Sequence, residues 1–107
     1  MVKKTDFSKT KWYVLNSPEI GKPFSDFYSA CDSDGVLDQK TKELLMLCVA
    51  SLFRCPHSTE AHIKAALEAG VSREEITEAL LIAAAEGANT QLSWAKEIYQ
   101  KYLGNSA

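Results

Sequence analysis

Five side chains with reactive groups lie within twenty residues of one another. Glu43 precedes Cys55 by twelve positions, and His57, Ser58 and His62 follow that cysteine at two, three and seven positions. Together they supply a carboxylate, a thiol, two imidazoles and a hydroxyl, the groups that proteins use for nucleophilic attack and proton transfer. The spacing predicts a site across a helix-turn-helix. A serine stands at the position where a redox pair would need a second cysteine.

Cys55 is the candidate nucleophile because of its place in the chain. Pro56 predicts the first turn of a helix, which puts Cys55 in the N-cap region. There the unpaired backbone N–H groups and the helix dipole favour an anion, and Arg54 and a protonated His57 would add to this effect. Cysteine is not a favoured N-cap residue. A reactive thiol is therefore a better interpretation than a structural cap.

Ser58, His62 and Glu43 form a candidate proton relay. Ser58 and His62 are four positions apart, so they share one helix face, and the imidazole can accept a proton from the group at position 58. Glu43 lies in the preceding, apolar helix. A solvated carboxylate is the ordinary interpretation for one glutamate. If Glu43 is buried it needs a partner, and His62 is the available one.

Helix signals divide the chain, and no segment alternates like a strand. Predicted helices begin at Ser17, Asp38, Pro56 and Ser72, the last with a capping box to Glu75. A break or kink at residues 87–89 separates a final amphipathic helix. We predict an all-α fold, a compact bundle of five or six helices in a single domain over residues 1–107, with residues 1–16 as an N-terminal arm that docks through its apolar patch at 12–15.

The helix predicted over residues 38–53 is apolar around nearly its whole circumference from Leu44 onwards, which is typical of a helix buried on all sides. A chain of 107 residues has little interior for such a helix. We therefore expect part of it to be buried against another subunit.

Composition excludes several classes of function. The chain has 46% apolar and 24% charged residues, as an ordinary soluble globular protein does. A net charge of −2 gives no basic face for nucleic acid, and the longest nearly apolar run, residues 44–53, is too short to span a membrane. The first six residues hold no apolar signal segment, and the three cysteines lack the spacing of a disulfide scaffold. These features predict a cytoplasmic protein. We expect Cys48 to be a small buried hydrophobe and Cys31 a half-exposed thiol.

A family resemblance rests on four segments. The sequence around Glu43 at 37–45, the Cys-Pro-His-Ser motif at 55–58 with Glu-Ala-His at 60–62, the run at 64–70 and the run at 72–81 resemble the alkylhydroperoxidase D-like group of the carboxymuconolactone decarboxylase superfamily. The likeness covers about residues 37 to 86. Its spacing of glutamate, cysteine pair and histidine is more specific than an isolated Cys-x-x-Cys motif.

The resemblance implies a small all-helical protomer that assembles into dimers, trimers or hexamers. It implies a peroxidase or thiol–disulfide reaction, with a hydroperoxide or disulfide substrate and a thiol or dithiol electron donor. The sequence itself indicates no cofactor. By match to the motif, Cys55 carries one sulfur, His62 is the relay imidazole, Glu43 the relay carboxylate and His57 the intervening histidine. Position 58 should be the second cysteine.

Ser58 departs from that motif. A hydroxyl cannot form a disulfide, and it ionises too weakly at neutral pH to act as a thiolate does. A dithiol cycle within one chain is therefore excluded for this sequence. Two explanations stand. Ser58 is a replacement in a Cys-Pro-His-Cys protein, or it is native and Cys55 forms a mixed disulfide that an outside thiol resolves.

Two other functions compete with a redox protein. One is a decarboxylase or lactone-processing enzyme of the other branch of the superfamily, which would use Glu43 and the histidines for proton transfer without sulfur. The other is a metal-binding or structural assembly protein, because Cys55, His57, His62 and Glu43 are all potential zinc ligands. Their spacing is not a familiar zinc pattern, and no glycine-rich phosphate loop indicates a nucleotide.

Overall fold

The computed structural model describes residues 10–105 and contains five α-helices within that range. They are α1 (Trp12–Asn16), α2 (Pro18–Cys31), α3 (Gln39–Leu52), α4 (Pro56–Glu68) and α5 (Arg73–Leu103). No strand occurs between residues 10 and 105. The predicted all-α class is therefore confirmed. The described residues form two compact units, residues 10–39 and residues 40–105.

In the first unit, α1 packs against α2. The ring of Tyr13 meets that of Phe24 edge-on, with centroids 5.6 Å apart. Gly21 is buried at the crossing, where an added Cβ would lie 2.5 Å from the carbonyl oxygen of Tyr13. The two backbones can approach this closely only because position 21 has no side chain. Residues 1–9 of the predicted N-terminal arm lie outside the described range. The prediction that the first six residues hold no signal segment therefore also falls outside it. The apolar patch of that arm forms α1.

The second unit holds α3, α4 and α5. Leu47 on α3 and Ala66 on α4 are fully buried, and Val71 in the turn before α5 is 3% exposed. The thiol of Cys48 donates to the carbonyl of Ala79 on α5 at 3.4 Å, and burial raises the pKa of that thiol. Cys48 was predicted to be a buried hydrophobe, whereas it is half-buried and its thiol is a hydrogen-bond donor. Cys31 is exposed where half-exposure was expected.

The prediction that α3 is buried on all sides is wrong for the single chain. Leu45, Val49 and Leu52 are each 52% exposed, and Phe53 just beyond the helix is 80% exposed. The face of α3 that carries Leu47 meets the core, whereas these side chains form a stripe along another face.

Gly87 and Asn89 predicted a break or a kink. The break is wrong, because α5 runs without interruption through Gly87. Glycine inside a helix costs only about 1 kcal/mol relative to alanine, which a long helix tolerates. A Cβ at Gly87 would meet Leu52 at an ordinary 3.6 Å. The start of α5 is as expected: the Ser72 hydroxyl accepts from the Glu75 N–H, and the Glu75 carboxylate accepts from the Ser72 N–H.

Between residues 10 and 105, none of the helices combines the length and apolar character needed to cross a bilayer.

Candidate functional site

The turn between α3 and α4 places Cys55 at the start of α4. The N–H of Cys55 bonds back to the carbonyl of Ala50 at 3.0 Å, which closes α3 and reverses the chain within three residues. Cys55 is the N-cap residue, with φ −97° and ψ 100°, and its carbonyl accepts from the Thr59 N–H as the first bond of α4. The sulfur therefore lies beside the unpaired N–H groups of the first helical turn.

The local environment favours the thiolate of Cys55. Hydrogen bonding from the Ser58 hydroxyl is the largest cause that lowers the pKa of Cys55, followed by the backbone N–H groups of Ser58 and His57, while slight desolvation opposes them. The Cys55 side chain makes no capping hydrogen bond of the kind that Ser72 makes on α5. The thiolate is therefore favoured without serving as the helix cap. These hydrogen bonds, and not the charges of Arg54 and His57, produce the shift.

Glu43 and His62 meet between α3 and α4. The Glu43 carboxylate oxygen Oε2 lies 3.0 Å from Nδ1 of His62, and their side chains are 6% and 16% exposed. Because a carboxylate only accepts, Nδ1 carries the hydrogen in this contact. The glutamate thus fixes the orientation of the ring and leaves Nε2 for a second contact. Glu43 is buried and not solvated, as the relay prediction requires.

The other two site residues differ in their surroundings. Ser58 lies half-buried one helical turn before His62, on the same face of α4. His57 is exposed and contributes its backbone N–H toward Cys55. In residues 10–105, no three His, Cys, Asp or Glu side chains are grouped so that they could hold a metal ion. The metal-binding alternative therefore has no ligand set there.

An open groove of about 810 Å³ adjoins Cys55. Its surface is mostly apolar, and its lining includes Arg54, Cys55, Thr59, Ile63 and Lys64. Sequence reasoning missed the last three residues. Thr59 and Ile63 have a signal, because they lie four and eight positions after Cys55 and so near one side of α4. Lys64 lies four positions after Glu60, which also lines the groove.

Three features indicate the class of protein: an all-helical fold, a cysteine at the start of one helix, and a buried glutamate–histidine pair in the same helix-turn-helix. The sequence profile of the carboxymuconolactone decarboxylase family matches residues 18–101, and the chain belongs to that family. This match extends beyond the region of resemblance, residues 37–86, on both sides.

The chain is also similar to two other proteins. The chain is similar to "Uncharacterized protein 4 in cox locus" of Paracoccus denitrificans, at 42% identity over 52 residues, which cover 49% of this chain and 47% of that protein. The chain thus matches about half the length of that curated relative. A crystal structure of a protein from Methanobacterium thermoautotrophicum is similar with a TM-score of 0.73 and 31% identity, over 81% of this chain and 98% of that one.

Proposed function

We propose that this protein is a thiol-dependent redox enzyme of the alkylhydroperoxidase or disulfide reductase type, working with one cysteine. The observation that carries the proposal is the position of Cys55. Its pKa is lowered, the residue lines an apolar groove, and the buried Glu43–His62 pair lies in the same helix-turn-helix. A thiolate of this kind is the usual attacking group in thiol chemistry.

A single thiol can carry out a complete catalytic cycle when external thiols supply the electrons. With a hydroperoxide, the Cys55 thiolate attacks the terminal oxygen, the O–O bond breaks, and after protonation an alcohol and a sulfenic acid result. An external thiol condenses with the sulfenic acid to give a mixed disulfide and water. With a disulfide substrate, the thiolate attacks one sulfur, the S–S bond breaks, and the products are a mixed disulfide on Cys55 and one free substrate thiol. A second external thiol then releases Cys55, so two donor thiols are oxidised per hydroperoxide reduced.

Ser58 and His62 supply the proton path in this proposal. Ser58 is the largest cause of the lowered pKa of Cys55, and His62 lies one turn after Ser58 on the same face of α4. Glu43 holds the imidazole through Nδ1 at 3.0 Å. Protons leaving the thiol or reaching the leaving group pass by way of the hydroxyl and Nε2 of His62.

One observation also supports a second function. The Glu43–His62 pair is a buried acid–base unit that needs no sulfur, as a decarboxylase or lactone-processing enzyme would require. The two functions differ in whether activity depends on Cys55.

Replacing Ser58 with cysteine tests the redox proposal. We expect Ser58→Cys to raise peroxide reduction with a dithiol donor about tenfold, because a thiol three positions away forms an intramolecular disulfide at high effective concentration. The measurement is the rate of dithiol-dependent hydroperoxide loss, with mass spectrometry of the disulfide between Cys55 and the introduced thiol. Ser58→Ala is the matched control and should show no gain. A Ser58→Cys variant no faster than that control would reject the proposal.

The exposed stripe on α3 supports a homo-oligomer. Leu45, Val49 and Leu52 present three large apolar side chains with no charge among them, so a second copy of the same helix face is complementary to it. We propose that a second copy of the chain covers this stripe in a dimer, trimer or hexamer. Light scattering should then give at least twice the mass of one chain, and Val49→Lys should lower it. A monomer at micromolar concentration would contradict the proposal.

A further inference from the structure

The turn before Cys55 holds a residue in a conformation that it does not favour. Arg54 has φ +58° and is the only residue other than glycine with a positive φ in the described part of the chain. Its N–H bonds to the carbonyl of Ser51 at 3.1 Å, and the next N–H, of Cys55, bonds to Ala50 at 3.0 Å. This pair of bonds is the Schellman ending of a helix, whose left-handed residue is usually glycine.

The end of α4 shows the same motif with the usual residue. Gly70 has φ +87°, its N–H bonds to Leu67 at 3.1 Å, and the N–H of Val71 bonds to Ala66 at 2.9 Å. Glycine adopts this backbone without strain, whereas a side chain makes it unfavourable. The turn alone therefore gives no reason for an arginine at position 54.

The surroundings of Arg54 supply a reason. The residue is exposed and lines the apolar groove beside Cys55. The other charged residues of that groove, Glu60 and Lys64, pair with each other at 3.5 Å. Between residues 10 and 105, no carboxylate lies within ion-pair distance of the Arg54 guanidinium. The groove thus combines an apolar wall, one uncompensated positive charge and an activated thiol.

We infer that Arg54 is the specificity-determining residue of this groove, and that it recognises substrates with a carboxylate on a small apolar body. This inference rests on the proposed function, since the bond attacked by Cys55 is the O–O or S–S bond of the substrate. The guanidinium binds the carboxylate with paired N–H donors, a geometry that a lysine ammonium does not offer. Binding there holds the reactive bond at the thiolate.

Two aromatic disulfides of different charge test this assignment. Both 5,5′-dithiobis(2-nitrobenzoate), which carries carboxylates, and the neutral 2,2′-dithiodipyridine release a coloured thiol as Cys55 forms a mixed disulfide. In a Cys31→Ser background we expect Arg54→Gly to slow the first reaction about tenfold and the second less than about twofold. The same variant should melt about 4 °C higher, because glycine relieves the strained φ.

Two matched variants test whether the preference for the carboxylate probe depends on the Arg54 guanidinium or on any positive charge in the groove. Lys64→Ala removes the groove's other cation, which is already paired, and should change the ratio of the two rates less than about twofold. Arg54→Lys should restore only part of the preference for the carboxylate probe. An Arg54→Gly variant with an unchanged ratio, or a Lys64→Ala variant with an equal loss, would overturn the inference. Either result would leave the reactivity of Cys55, and hence the proposed function, standing.

Discussion

Cys55→Ser should lower thiol-dependent hydroperoxide reduction at least about a hundredfold. The replacement keeps a polar atom of similar size at the start of α4, but a hydroxyl at neutral pH is neither an adequate nucleophile nor able to form a mixed disulfide. The rate of hydroperoxide loss with a monothiol donor is the measurement, and intact-mass spectrometry of the wild-type chain should show one donor thiol on Cys55. The fold should be unaffected, because the sulfur makes no short cap that the helix needs.

Cys31→Ser is the matched control for that experiment. Cys31 is exposed at the end of α2, so its loss should leave the rate unchanged. Activity that survives Cys55→Ser would contradict the redox proposal and favour proton transfer by the Glu43–His62 pair.

The pH dependence of Cys55 offers a second check on the same thiol. Hydrogen bonding lowers its pKa from the ordinary 9.0, and the thiolate is the deprotonated form, so more of it exists at neutral pH than for a free cysteine. Alkylation by iodoacetamide should therefore rise with pH and have its midpoint below pH 9.0. In Ser58→Ala the midpoint should move upward, because the hydroxyl is the largest cause of the shift.

The parts of the fold that local chemistry determines could be predicted from the sequence. Pro56 and the Ser72–Glu75 capping box mark helix starts through backbone valence and sterics, and α4 and α5 each begin within one residue of the predicted place. The Glu43–His62 contact could be predicted only on the condition that Glu43 is buried, because a solvated carboxylate is the ordinary interpretation. A buried carboxylate needs a partner, and the chain has only two histidines.

Other features depend on the environment of a residue in the folded protein, so the sequence alone did not predict them. Gly87 weakens a helix by local propensity, yet α5 continues through it, since a single glycine is outweighed by the residues on either side. The apolar residues around α3 indicate that all of its faces are suited to burial. They do not indicate what covers each face, and in the single chain one stripe is exposed. The left-handed conformation of Arg54 has no sequence signature, because residues of this kind seldom adopt it.

His62→Ala should lower the free energy of unfolding by about 3 kcal/mol, because it leaves a buried carboxylate short of a hydrogen bond. Glu43 is 5% exposed, so without the imidazole its carboxylate stays in the interior with a lost hydrogen bond at Oε2. Urea unfolding at one fixed protein concentration is the measurement, since self-association would otherwise shift the midpoint.

His57→Ala supplies the comparison, because that histidine is exposed on the same helix and its removal should cost less than about 0.5 kcal/mol. Adding Glu43→Gln to His62→Ala should recover part of the loss, because the amide carries no charge to bury. A double-mutant cycle over the two positions measures this coupling directly. A His62→Ala variant as stable as His57→Ala, or a cycle without coupling, would show that the pair does not hold α3 and α4 in register. The relay would then lack the fixed imidazole on which proton transfer near Cys55 depends.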